Sequence, residues 1–249
     1  MKRAVPWKVV WITGASTGIG REMALQLAAR GATVAASARS GEKLTSLGAN
    51  IKPYPLDVTD RAAVLATIKS IEQELGAIDL AVLAAGTYTP VEVENFSLTI
   101  FEMAMATNYL GVVNALAGLL PRMMSRRSGH VAWIASVAGY VGLPKAAAYG
   151  PSKAALINLA ESLKPDLDIH GVTVSVINPG FVETPLTAQN DFNMPFLMKA
   201  SEAAKLSIEG LLKCRFEIAY PLRFVIIMKL ARLIPYALFF RLIRTISSK

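Results

Sequence analysis

Tyr149 and Lys153 are the residues whose types and spacing most plainly allow chemistry. They stand four residues apart where the pattern predicts the start of a helix, so their side chains share one face with Cβ atoms about 5–6 Å apart. An ammonium that close to a phenol favours the phenolate, and Lys153 is therefore expected to draw the Tyr149 pKa from about 10 towards neutrality. A phenol that titrates near pH 7 is a general acid/base. The same spacing also occurs on solvated helix faces, so its meaning depends on what the rest of the chain brings to it.

The elements that must position this pair can be read in order. Residues 8–13, Lys-Val-Val-Trp-Ile-Thr, have the β-branched character of a buried strand. The turn Gly14-Ala15-Ser16-Thr17-Gly18-Ile19-Gly20 follows at once, and a helical pattern over 21–30 ends at Gly31. Strand, glycine-rich turn and helix form the setting of a dinucleotide site, because small residues admit a pyrophosphate to the backbone and the helix N–H groups face its charge. The spacing Gly-x-x-x-Gly-x-Gly differs from the commoner Gly-x-Gly-x-x-Gly. A second strand, 32–38, ends at Ala38 and Arg39 with no carboxylate before Glu42. An arginine there suits a 2′-phosphate, which favours NADP(H) over NAD(H); a solvated loop arginine is the alternative.

Further strands are expected over 50–56, 78–83, 129–136 and 172–178, with helices over 98–125, 149–170 and 201–213. Another helix is expected between a Thr59 or Asp60 cap and Gly76. The alternation predicts an α/β fold, a single-domain Rossmann-like doubly wound parallel sheet with helices on both faces. Right-handed crossovers then bring residues 14–20, Arg39, Asp57, Gly86, Ser136, Pro179 and Gly180 to one edge of that sheet.

On these residues the chain resembles the short-chain dehydrogenase/reductase family over about residues 8–190. Thr13-Gly14-x-x-x-Gly18-Ile19-Gly20 resembles the family's cofactor motif, and Asp57-Val58 its adenine contact. Asn108, Ser136, Tyr149 and Lys153 resemble its catalytic tetrad, and Arg39 its NADP-preferring subset. Pro179-Gly180-Phe-Val182-Glu-Thr184-Pro185 resembles the segment that meets the nicotinamide, with Thr184 on the carboxamide. The resemblance implies a cofactor site made of Gly14, Ser16, Thr17, Gly18, Ile19, Gly20, Arg39, Asp57, Val58, Ala85, Gly86, Asn108, Tyr149, Lys153, Pro179, Gly180, Val182 and Thr184. It implies that Tyr149 exchanges a proton with a carbonyl or hydroxyl oxygen held by Ser136. Lys153 would tune Tyr149 and hold the nicotinamide ribose, and Asn108 would hold a water that links Lys153 to solvent. Where the family has two asparagines, this chain has Ala84 and Ala85, and the family's Asp-Gly-Gly-like last turn is absent.

Composition narrows the remaining classes. The 249 residues are 53% hydrophobic, enough for one well-buried domain. One cysteine allows no internal disulfide, which fits a reducing, cytoplasmic compartment, and the N-terminus lacks the apolar run of a signal peptide. Two histidines and one cysteine argue against a histidine-rich or thiolate metal site. Basic runs interleaved with aromatics are missing, so no nucleic-acid partner is expected despite the net charge of +8.

The last stretch departs from this pattern. After a possible seventh strand over 215–221, residues 222–249 hold six basic and no acidic residues around two apolar clusters that part near Pro235. The expected division is therefore a catalytic unit, 1–221, and a basic apolar helical extension, 222–249. Peripheral contact with the inner face of a membrane, a subunit interface and simple core cover all remain open for it. The family resemblance implies a homo-oligomer. The apolar loop 187–199 occupies the family's substrate-lid position, which suggests a hydrophobic carbonyl or alcohol as substrate. The alternatives to an enzyme are a catalytically silent NADP(H)-binding sensor and a membrane-associated interaction protein.

Overall fold

The computed structural model describes residues 4–48, 50–190 and 192–247. In chain order the elements are β1 (Val9–Thr13), α1 (Gly18–Ala28), β2 (Thr33–Ser37), α2 (Gly41–Thr45), β3 (Ile51–Pro53), α3 (Arg61–Leu75) and β4 (Leu80–Leu83). They continue through α4 (Leu98–Ala104), α5 (Gly111–Ser125), β5 (Gly129–Ile134), α6 (Tyr149–Ile169), β6 (Val172–Pro179), β7 (Val182–Glu183) and β8 (Met198–Lys199). The chain ends in α7 (Ala200–Leu212), β9 (Glu217–Tyr220), α8 (Leu222–Ala231) and α9 (Tyr236–Ser247).

Seven strands form one parallel sheet in the order β3-β2-β1-β4-β5-β6-β9. Residues alternate along each strand, so Val10 and Ile12 face one core while Val9 and Trp11 face the other. The first core is closed by Met23, Ala24 and Leu27 of α1 with Ala204, Ile208 and Leu211 of α7. The second is closed by Val64 and Ile68 of α3, Leu116 and Leu119 of α5, and Leu156 and Ala160 of α6. The strand order reverses between β1 and β4, and a crevice opens at the carboxyl ends of the strands there.

The expected fold is the observed one, with differences at the ends of elements. The first helix begins at Gly18 rather than three residues later, so Gly18 and Gly20 lie in its first turn. The third strand keeps only Ile51–Pro53 of the expected 50–56. Asp60 caps α3 by accepting from Ala63 N at 2.9 Å, and Gly76 ends it at φ 96°. The helical stretch 98–125 is continuous but widens into a π-helix at Met105–Leu110, around Asn108. Such bulges recur at functional sites because they re-aim side chains within a helix.

Residues 215–221 supply the seventh strand, and two helices follow it about Pro235. Phe224, Val225 and Met228 of α8 pack on Val137 and Tyr140. The Glu217 carboxylate pins the same junction, accepting from Tyr140 Oη at 2.5 Å, from Asn178 Nδ2 at 3.0 Å and from the Lys229 ammonium. Those donors hold Glu217 below the usual carboxylate range although burial acts against them.

Candidate active site

The crevice holds a cleft of about 470 Å³ that runs from the α1 N-terminus to the loop after β7. Its cofactor end is built around Gly14, whose φ of 66° only glycine adopts without strain. A Cβ on Gly14 would lie 2.7 Å from the Ala84 carbonyl and Ala85 amide, so the loop and β4 meet backbone to backbone. The Thr13 hydroxyl fixes that contact by accepting from Ala84 N at 3.1 Å and Ala85 N at 3.2 Å. The alanines that replace the family's asparagines therefore leave this junction hydrogen-bonded. Thr17 caps α1 without a side-chain bond, which leaves no side chain competing for the first-turn N–H groups.

Ser16, Thr17, Gly18, Ile19 and Gly20 line this end together with Asp57, Val58, Ala85 and Gly86. Arg39 is exposed at its rim. The Asp57 carboxylate accepts from Thr59 N at 2.9 Å and Thr59 Oγ1 at 2.7 Å. These bonds, with the Arg39 charge, hold it below the usual carboxylate range. A backbone cradle, open helix N–H groups and a cation beyond them fit a dinucleotide.

At the other end Ser136, Tyr149, Lys153, Pro179, Gly180, Val182 and Thr184 line the cleft. Lys153 is buried, donates to Ile134 O at 2.8 Å and stands 5.4 Å from the centre of the Tyr149 ring. A Cβ on Gly86 would sit 3.3 Å from Asn108 Oδ1 and 3.6 Å from Lys153 Nζ, so both side chains converge there. Asn108 itself does not line the cleft. It is buried, with Oδ1 accepting from Thr87 N at 2.7 Å and Nδ2 donating to Thr87 O at 3.0 Å and Ser152 Oγ at 2.9 Å. Thr184 Cγ2 would stand 2.9 Å from a Cβ on Gly18, which brings the 179–185 segment onto the glycine loop.

The protonation of the pair differs from the expectation. Tyr149 is pushed up to about 12, chiefly by burial, which a hydrogen bond from Ser136 opposes and the neighbouring Tyr88 reinforces. Burial also pulls Lys153 down to about 7. Spacing predicts attraction between the charged forms, but in the free chain desolvation of each group outweighs it. At neutral pH the phenol is protonated and the lysine is near its midpoint.

Some lining residues escape sequence reasoning. Ser40 and Lys43 lie on the short α2 and its cap, next to Arg39. The signal for them was a serine cap followed by Glu42 in the first turn. Thr87, Met103, Thr107, Leu186 and Thr187 complete the walls, and Tyr88 meets Tyr149 edge-on with ring centres 5.3 Å apart.

The short chain dehydrogenase family pattern matches residues 8–194. The chain belongs to the short-chain dehydrogenase/reductase family. It is 37% identical over 240 residues to an uncharacterized oxidoreductase of Myxococcus xanthus, covering 94% of this chain and 95% of that one. It is also 37% identical over 184 residues to the 3-oxoacyl-(acyl-carrier-protein) reductase FabG of Escherichia coli, covering 72% and 75%. A solved short chain dehydrogenase/reductase of Burkholderia phymatum, in complex with NAD, superposes with TM-score 0.85 at 24% identity, covering 94% and 95%. As a member of this family the chain is an oxidoreductase.

Proposed function

We propose that this short-chain dehydrogenase/reductase is an NADPH-dependent enzyme that reduces an apolar carbonyl compound, in the cytoplasm. The observation that carries the reading is one cleft with Ser136, Tyr149 and Lys153 at one end and Arg39 and Lys43 at the other. The glycine loop and the start of α1 would hold the pyrophosphate. Asp57 and Val58 would meet the adenine, and Arg39 with Lys43 the 2′-phosphate. When bound, the dinucleotide supplies the hydride.

The chain supplies the proton and the geometry. Ser136 would hold the carbonyl oxygen, and Tyr149 would give it a proton. A phenol held at about 12 is fully protonated at neutral pH, so the proton that reduction needs is in place, but so weak an acid donates well only with Lys153 charged beside it. Oxidation would need Lys153 in its charged form to bring the phenol down. Lys153 would also hold the nicotinamide ribose and Thr184 the carboxamide. Asn108 would work from behind, through Thr87 and Ser152.

The apolar walls Met103 and Leu186, and a lid carrying Phe192 and Phe196, support a hydrophobic substrate, and the FabG relative is named for acting on an acyl chain. A homo-oligomer belongs to the same reading, since Leu98, Met103 and Leu110 of the long helix are exposed.

Fluorescence titration with NADPH and NADH, on the native chain and on Arg39→Asp, tests the cofactor assignment. The native chain is expected to bind NADPH at least tenfold more tightly, as a charge-assisted contact to phosphate implies, and Arg39→Asp to lose that margin. Equal affinities would make Arg39 a bystander. Binding of neither dinucleotide would remove the basis of the reading.

A further inference from the structure

Beyond the cleft, α8 and α9 expose a run of large apolar side chains. The buried side of α8 carries Phe224, Val225 and Met228; its outer side carries Leu222, Ile226, Ile227 and Leu230, each about half exposed or more. Leu233 follows at 78% exposure. In α9, Tyr236, Phe239, Phe240 and Ile243 recur at helical spacing, and of these only Phe239 is buried. Arg244 stands one turn beyond Phe240, at the edge of that face, and Arg241 lies across the helix from it.

The buried side of α8 joins the lid. Phe224 stacks on Phe181 with ring centres 5.5 Å apart and meets Phe196 at 6.1 Å, while Phe181 meets Phe192 at 5.8 Å. Phe192 and Phe196 each keep 44% of their surface exposed, and Leu197 keeps 41%. Phe196 holds this position at φ 59°, a left-handed backbone that costs a bulky residue energy. The foot of the same loop, from Thr184 to Thr187, lines the cleft. This aromatic cluster therefore ties the buried side of α8 to the loop that reaches the mouth of the site.

Charge decides what covers this apolar surface. Residues 222–249 carry Arg223, Lys229, Arg232, Arg241, Arg244 and Lys249 and no carboxylate; of these Lys229 is paired with Glu217 and Arg232 donates to Tyr140 O at 3.3 Å. Lys249 lies outside the described residues. A second copy would bring the same cations to the interface and repel, whereas an anionic lipid surface takes both the apolar side chains and the cations around them. We propose that α8, α9 and the lid aromatics form one docking surface for an anionic bilayer, which opens the substrate end of the cleft onto lipid. The second half of this statement rests on the reductase reading above.

Sedimentation of the full chain with vesicles of phosphatidylcholine, alone or with one third phosphatidylglycerol, tests the surface. The chain is expected to pellet with the anionic vesicles and to be released by salt. Arg223→Gln/Arg244→Gln should weaken partitioning about 25-fold, from about fivefold per cation. Titration of the same samples with NADPH and NADH reports folding and the cofactor site separately. A chain that binds NADPH and stays in solution with both vesicles overturns the docking surface. So does pelleting with the anionic vesicles that the substitutions leave unchanged. A chain that pellets but binds neither NADPH nor NADH sinks the reductase reading and leaves the surface standing. For the lid, Phe192→Trp is read with brominated lipid. Trp7, Trp11 and Trp133 are buried, so quenching would come from the lid; pelleting without quenching removes the lid from the surface.

Discussion

Replacing Lys153 by methionine should make the free chain more stable and the enzyme inactive. Lys153 is 3% exposed, and burial holds it at about 7 against a reference of 10.5. Between those two values the unfolded chain keeps a proton that the folded chain has largely released. Stability therefore rises with pH across that window and is lowest below pH 7. At about 1.4 kcal/mol per pH unit, holding the lysine charged costs about 4 kcal/mol at pH 7. Methionine keeps much of the stem and removes that cost, but it forfeits the bond to Ile134 O, worth about 1–2 kcal/mol with the carbonyl left bare. The net gain is about 2–3 kcal/mol, or about 5–10 °C in Tm for a chain of this size. By pH 9 the native chain has recovered about 2 kcal/mol of the difference. Thermal melts of both chains without dinucleotide, from pH 6.5 to 9, measure the gap. A gap that is constant with pH, or a variant less stable at pH 7, would refute the claim that burial holds Lys153 near neutrality.

Other substitutions separate the roles in the cleft. Tyr149→Phe should lose about 100- to 10,000-fold in kcat while NADPH affinity stays within about twofold, because only the proton is removed; steady-state kinetics beside a binding titration show the split. Gly14→Ala must push against backbone at 2.7 Å in a left-handed conformation, so it should lower both Tm and dinucleotide affinity, and an unchanged melt would contradict the packing. His130 is held at about 4 by burial, against a reference of 6.5, beside Ser175 Oγ at 2.8 Å. The unfolded chain takes the proton first, so stability present above pH 6.5 is lost as pH falls towards 4, by about 3 kcal/mol in all. His130→Asn should flatten that acid limb in melts between pH 4 and 7, and an unaltered limb would place its cause elsewhere.

The sheet was legible because its signals are local and repeated. Most strands of the sheet are short apolar runs, and α3 is bounded by a cap, Asp60, and a terminator, Gly76. The cleft was legible because topology alone sends the ends of those strands to one edge. Lys43 was not, because a five-residue helix offers too few apolar positions to show a period. The role of Thr13 was also hidden: Ala84 and Ala85 read as lost hydrogen bonds until the structure showed their amides held from the neighbouring strand.

The protonation of the central pair shows where such reading stops. Four-residue spacing states that Tyr149 and Lys153 meet, and the ammonium does stand 5.4 Å from the ring. It says nothing of what surrounds them. Whether proximity lowers the phenol depends on the lysine being charged, and that depends on burial, which only the packed sheet, α6 and the Gly86 turn create. In the free chain each group is desolvated and each moves towards its neutral form. Anything that restores charge to Lys153, such as anionic or hydroxyl groups brought in beside it, therefore acts on Tyr149 as well. The pair is poised to change its acidity when the cleft fills, and the spacing supplies the contact through which that change passes.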